Sequence, residues 1–224
     1  MMEGSMEHKS EENLRLLQLE FVGKILAGFT HDIKNYIAII KESAGLIEDI
    51  IKIEKTPKNK SEQYIEIIRS IEEQIQKTND LFRYLNRFAH RMDTQLAAFN
   101  INESLEELFA LIQRVANQKK ITLARDFQRD IPSVYSNPSI FQFLIFSFLE
   151  ERMTNLDKNS IITVKTGIKG SSVGVNISSE GVLRVGQDVQ AMIPPEIRTF
   201  ALQKLTGDIS ESNGNILITL PVSR

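Results

Sequence analysis

From Glu11 to about Glu54 the chain runs without a proline and with only three glycines, while apolar residues recur at helical spacing. A single helix of that length would extend roughly 65 Å at about 1.5 Å per residue. A compact domain seldom houses such a helix, so the pattern points to a coiled coil or a bundle. The stretch KTPKNK, residues 55–60, breaks it, with Pro57 and Asn59 as turn signals and Ser61 as an N-cap before Glu62. A solvated turn is the simplest account of its charges. A second helix follows, in which Tyr64, Ile68, Ile71, Ile75, Thr78, Phe82, Leu85, Ala89 and Met92 alternate at four and three residues, a heptad seam with one polar member. Two helices alone cannot cover seams this long. A hairpin that pairs with its own copy into a dimeric four-helix bundle can, and twofold homodimers are the commonest oligomers.

Composition restricts the function classes. Of 224 residues, 42% are hydrophobic and 25% charged, as in an ordinary globular protein, and the formal net charge of -2 argues against bulk electrostatic binding to nucleic acid. Cysteine is absent, which excludes disulfides and thiolate metal sites. The longest apolar stretch, Ile140 to Leu149, is about half of the roughly 20 residues a membrane span needs, and the polar opening MMEGSMEHKSEEN has no signal-peptide core. A cytoplasmic location without a membrane segment is the expectation.

Beyond Asp93 the elements shorten and mix. A helix near Ile101 to Gln118 can be capped by Asn100 or Asn102. Strands are expected at Ile121 to Phe127, Ile161 to Ile168, Val173 to Ile177 and Ile216 to Leu220, rich in β-branched residues and bounded by Gly, Ser and Asn. Asn137 and Pro138 mark another helix start, and FQFLIFSFL is apolar around its whole circumference, so that helix belongs between layers. The fold class is therefore α+β: residues 1–10 a disordered opening, 11–95 the helical hairpin, and 96–224 an α/β sandwich with helices on one sheet face.

On a helical wheel, Val22, Leu26, Phe29, Ile33, Tyr36, Ile40, Ile47 and Ile51 lie opposite His31, which therefore points outward. Its own side carries Lys24, Ala27, Gly28, Lys34, Asn35 and Ala38. Small residues here leave room for another protein, so Ala27, Lys34 and Ala38 are candidate partner contacts, and Asn35, one turn on, reaches whatever the imidazole holds. Imidazole nitrogen is a competent phosphoryl nucleophile near neutral pH, and a carboxylate on its other nitrogen fixes the tautomer. Most exposed histidines on helices are plain surface residues, and His90 and His8 are read as such.

The neighbours of His31 distinguish it. Residues 21–50, FVGKILAGFTHDIKNYIAIIKESAGLIEDI, resemble the phosphoacceptor box of bacterial two-component sensor histidine kinases, with HDIKN in their H, acid, x, x, N arrangement and a second heptad helix ending LFRYLNRFAHR. The resemblance implies that His31 is phosphorylated, that Asp32 is its orienting base, and that Asn35 positions phosphate or attacking water. Tyr36 departs from the proline many members carry, which implies a straighter helix.

Residues 99–153 are similar to the opening of the same family's ATP-binding domain, including the NPS helix start. The nucleotide positions are degenerate. Where the family's magnesium-binding helix carries polar ligands, this one has Phe146 and Glu150; where it has an aspartate and two glycines around adenine, ISSEGVL supplies Ser179, Gly181 and Leu183. AMIPPEIRTFALQKLTGDI lacks the glycine cluster whose amides wrap phosphates.

The resemblance therefore implies a histidine phosphotransferase of a phosphorelay, passing a phosphoryl group between receiver-domain aspartates through His31 without ATP. No cofactor is expected on the chain itself, with magnesium supplied by the partner receiver. Response-regulator receiver domains and a second copy are the expected partners, and no metal or nucleic acid. About 20 residues precede the box, so no sensor domain is expected in the chain. Three alternatives stay open: a response-regulator phosphatase in which Asp32 and Asn35 position water, a divergent sensor histidine kinase, and a non-catalytic pseudokinase scaffold that binds receivers.

Overall fold

The computed structural model describes residues 2–53, 61–182, 192–212 and 214–222. Among these it contains five helices and seven strands in an α+β arrangement. Helix α1 (Met2–Ile53) and helix α2 (Ser61–His90) form the antiparallel hairpin. The helix of the opening is a correction: residues 2–10, expected to be disordered, continue α1, because Met, Glu and Lys are good helix formers and no proline interrupts them. Pro57 and Asn59 lie outside the described residues, and Ser61 is the first residue of α2. α1 continues as helix through Tyr36.

Strand β1 (Ala97–Phe99) leads into α3 (Ile101–Lys119), followed by β2 (Thr122–Phe127), β3 (Val134–Ser136) and α4 (Pro138–Asn155). Then come β4 (Ile161–Lys169), β5 (Ser172–Glu180), α5 (Pro195–Leu205), β6 (Asp208–Ser212) and β7 (Asn215–Pro221). Five strands form a mixed sheet in the order β2-β4-β5-β7-β6, parallel only between β2 and β4, while β1 and β3 pair apart. Alternate residues Leu123, Ile162, Val164, Val175, Ile177 and Ile218 are buried beneath α3, α4 and α5. The opposite face presents Thr163, Lys165, Asn176 and Thr219, which fits a one-sided sandwich.

Local chemistry explains the helix boundaries. The Asn100 Oδ1 accepts from the Glu103 amide at 3.2 Å, and the Asn137 Oδ1 accepts from the Ile140 amide at 3.0 Å with Pro138 in the first turn. Asn102 does not cap; its Nδ2 donates to the Gln128 carbonyl at 2.8 Å and its Oδ1 accepts from the Thr166 hydroxyl at 2.7 Å. The all-round apolar face of α4 is buried throughout residues 141–149.

One apolar core joins hairpin and sandwich. Phe21 and Ile25 of α1 and Phe88 of α2 belong to the same buried cluster as Leu108, Phe143 and Phe146. Phe21 sits at its centre, with ring centroids 5.4 Å from Phe88, 6.1 Å from Phe143 and 4.7 Å from Phe146. Where the chain passes from α2 to the second domain, Arg91 donates from Nε at 3.0 Å and from Nη2 at 2.9 Å to the carboxylate of Glu107. Glu107 is buried, so this bidentate pair ties the junction to α3.

Candidate functional site: the His31 turn and the face of α4

His31 stands on the outer side of α1 with 49% of its side chain exposed. Asn35, one turn later, places its amide nitrogen 3.1 Å from Nδ1. The Asp32 Oδ1 lies 3.8 Å from the same Nδ1, beyond hydrogen-bond reach, and 3.3 Å from the Nε of Arg114 on α3. The structure thus brings His31, Asp32 and Asn35 onto one turn, and adds a guanidinium from the other domain.

Burial pushes the Asp32 carboxyl above its ordinary range, against the opposing charges of Arg114 and His31. Burial likewise pushes the Tyr36 hydroxyl up, and the neighbouring Asp32 charge adds to the shift. A cleft of about 320 Å³ opens between hairpin and sandwich here, lined by Asp32, Tyr36, Leu81, Gln113, Arg114 and Arg125 among others.

Ala27, Lys34 and Ala38 are exposed. Gly28, placed with them on the wheel, is buried instead, because the backbone of α3 comes against it: a Cβ there would meet the Leu111 carbonyl oxygen at 3.7 Å. The inward stripe is also rotated from the expectation. Leu26 and Ile51 are exposed, while Leu14, Phe21, Ile25 and Ile50 are the buried large apolar side chains described on α1, since the second domain covers part of the helix that a lone hairpin would leave open. His90 pairs locally with Asp93 at 2.9 Å on the surface, and His8 is exposed.

The positions expected from the resemblance to form a degenerate nucleotide site are engaged by neighbouring side chains. Phe146 is 4% exposed and its ring rests on Phe21. The Lys24 Nζ donates to the Glu150 Oε2 at 2.9 Å and pairs with Glu20 at 3.0 Å. Desolvation pulls the Lys24 ammonium down, but its bonds to Glu150 and Glu20 outweigh it and the net direction is upward. Between these side chains remains a cavity of about 20 Å³. That is room for about one water.

Ser179 accepts from the Arg152 Nη1 at 3.3 Å, while Arg152 Nη2 donates to the Gly214 carbonyl at 2.7 Å. Gly181 has φ +136°, and a Cβ there would fall 2.1 Å from the Ser160 Oγ. Leu183 lies outside the described residues. A magnesium nucleotide does not fit this donor set: Phe146 offers no lone pair, Glu150 is held by an ammonium, and Ser179 is engaged by Arg152.

Three contributors escaped the sequence reading. Arg114 lies 82 positions after Asp32 in sequence, and nothing in the periodicity of α3 marks it out. Phe21 and Lys24 lie inside the phosphoacceptor segment, where they read as helix packing and surface charge. Among the described residues no group of His, Asp and Glu could hold a metal ion, and no helix is long and apolar enough to cross a membrane.

No family model matches the sequence. It is 20% identical over 186 residues to the cell-division control histidine kinase PdhS of Brucella anthropi, covering 81% of this chain and 17% of that protein. The same protein from Brucella ovis is 21% identical over 187 residues, covering 81% and 18%. The chain thus spans less than a fifth of the length of these relatives. Among solved structures, histidine kinase ThkA in complex with response regulator protein TrrA aligns with a TM-score of 0.49 at 14% identity, over 100% of this chain and 67% of that one. Over four fifths of its length the sequence is similar to these histidine kinases.

Proposed function

We propose that this chain is a histidine phosphotransferase of a two-component phosphorelay, in which His31 carries a phosphoryl group between the aspartates of receiver domains and ATP takes no part. One observation carries the reading. The phosphoacceptor turn is open to solvent, while the face of α4 that matches the nucleotide site is closed by Phe21 and Lys24 from the phosphoacceptor helix itself.

The chemistry asked of the chain is modest. The lone pair on His31 Nε2 attacks the phosphorus of a receiver's aspartyl phosphate in line; the P–N bond forms as the acyl P–O bond breaks, and the aspartate leaves as carboxylate. The reverse step passes the group to a second receiver. Both phosphorylated species are high in energy, so the protein need only align donor and acceptor. Asp32 is the carboxylate that can hold the Nδ1 proton and keep Nε2 free. The receiver's own magnesium neutralises phosphoryl charge. Exposed Ala27, Lys34 and Ala38 form the surface a receiver approaches, and a second copy of the chain completes the hairpin's bundle.

Mixing the protein with a radiolabelled phosphorylated receiver tests this. Label should move to the parent protein as an acid-labile adduct and should not move to His31→Gln, which loses the nucleophile and, on an exposed turn, keeps the fold. If His31→Gln discharges the receiver to free phosphate as fast as the parent, the phosphatase reading replaces this one; if neither alters the label, a scaffold does.

A further inference from the structure

We propose that Arg114 of the second domain competes with His31 for the Asp32 carboxylate, so that docking of the sandwich on the hairpin restrains the phosphoacceptor. The proposal rests on the reading that His31 accepts the phosphoryl group, and it adds a positioning residue.

The same carboxylate oxygen serves both neighbours. Asp32 Oδ1 is 3.3 Å from Arg114 Nε but 3.8 Å from His31 Nδ1, and Nδ1 faces the Asn35 amide nitrogen at 3.1 Å instead. With Nδ1 accepting from Asn35, the ring proton resides on Nε2, the nitrogen that faces solvent, and neither nitrogen offers a free lone pair. The nucleophilic tautomer needs the opposite arrangement, with Nδ1–H donated to a carboxylate. Asp32 is the only carboxylate on this turn, and it is held toward α3.

The groups facing Asp32 are few. His31 and Tyr36 come from α1, Arg114 from α3, and Arg125 of β2 lines the same cleft while paired with Glu106 at 3.3 Å. α2 contributes the apolar Leu81. Among the described residues Arg114 is therefore the cation paired with Asp32 from across the domain boundary. Rotation of the Arg114 side chain, with α3 left packed on the hairpin, breaks this one ion pair and frees Asp32 to rotate onto Nδ1. A receiver entering beside His31 and prising the cleft open would switch the ring to its reactive form as it arrives.

The experiment uses the full chain labelled with ¹⁵N-histidine, in which the ring nitrogen shifts of His31 report its tautomer. Arg114→Met should raise the fraction of Nδ1–H tautomer several-fold over the parent at neutral pH. Arg114→Lys, which keeps a charge within reach of Asp32, should reproduce the parent. Should Arg114→Met fail to fold, Arg114→Gln provides the same loss of charge at matched polarity. A tautomer ratio that stays the same or moves toward Nε2–H in the charge-removed variant overturns the proposal. Transfer from a labelled receiver is read separately: the charge-removed variant should take up label several-fold faster. Failure of parent and variants alike to take up label, with the tautomer shift intact, overturns the phosphotransferase reading and leaves the competition for Asp32 standing.

Discussion

The ring of Phe21 on α1 lies 4.7 Å from the ring of Phe146 on α4, tilted by 37°. Three residues further along α1, Lys24 reaches Glu150, one turn beyond Phe146 on α4. The two contacts repeat at helical spacing on both helices, so α1 and α4 meet as matched faces with an apolar pair beside an ionic one. This shared face of α1 and α4 therefore ties the hairpin to the sandwich.

Truncating Phe21 to alanine should therefore loosen the domain contact and the shared core at once. Large-to-small changes of a fully buried phenylalanine cost about 3–5 kcal/mol. Urea unfolding of Phe21→Ala should show a loss in that range. A loss below about 1 kcal/mol would mean that the two parts do not share a core in solution.

Gly181 occupies a position whose backbone requires glycine. Its φ of +136° is a conformation that side chains rarely adopt, and a Cβ would strike Ser160 Oγ. Gly181→Ala should cost on the order of 1–3 kcal/mol. Pairing it with Ser160→Gly should recover only part of that, since the clash is relieved and the backbone strain is not. Complete recovery in thermal melts would show that the clash alone mattered.

The Asp32 carboxyl gives a pH signature. Burial raises it above its ordinary value of 3.8, so the folded chain holds that proton to higher pH than the unfolded chain does. Stability from this group accordingly falls as pH rises from about 3.8 through the raised folded value, and the full cost is present above that window. Asp32→Asn should be more stable than the parent at neutral pH, with an Arg114 contact retained through the amide oxygen. In denaturant titrations the advantage should shrink as pH falls toward 3.8. An advantage that grows toward acid contradicts the sign.

Much of this architecture was legible before any coordinates. The uninterrupted run in α1, the NP step before α4 and the β-branched strands each state their element locally. The HDIKN turn stands out by side-chain chemistry. What stayed hidden depends on contacts between distant segments. β1, β3 and β6 are short or polar and gave no alternating signal, and the burial of Gly28 and Phe21 follows from where α3 and α4 dock. On α2, periodicity gave the right spacing, but the seam it picked out contains none of the buried residues. Ile67, Gln74, Leu81 and Phe88 recur every seven residues and are its buried residues, yet Gln74 masked the column as polar.

That missed column sharpens the expectation of a dimer. With Ile67, Leu81 and Phe88 turned toward α1 and the second domain, the adjacent heptad column of Ile68, Ile75 and Phe82 is left 46%, 46% and 45% exposed. Leu19, Leu26, Ile37 and Leu46 on α1 are exposed as well. Fully burying an isoleucine from water contributes about 1.5–3 kcal/mol, and these are already about half covered, so two per chain, counted on both copies, add roughly 3–6 kcal/mol to a bundle. Sedimentation of the parent at micromolar concentration should give twice the chain mass. Ile68→Glu combined with Ile75→Glu should give a single chain mass with unchanged helical circular dichroism, because neither side chain is needed for the hairpin's own seam. A parent that sediments as a monomer removes the four-helix bundle; a double variant that remains dimeric moves the interface away from this column.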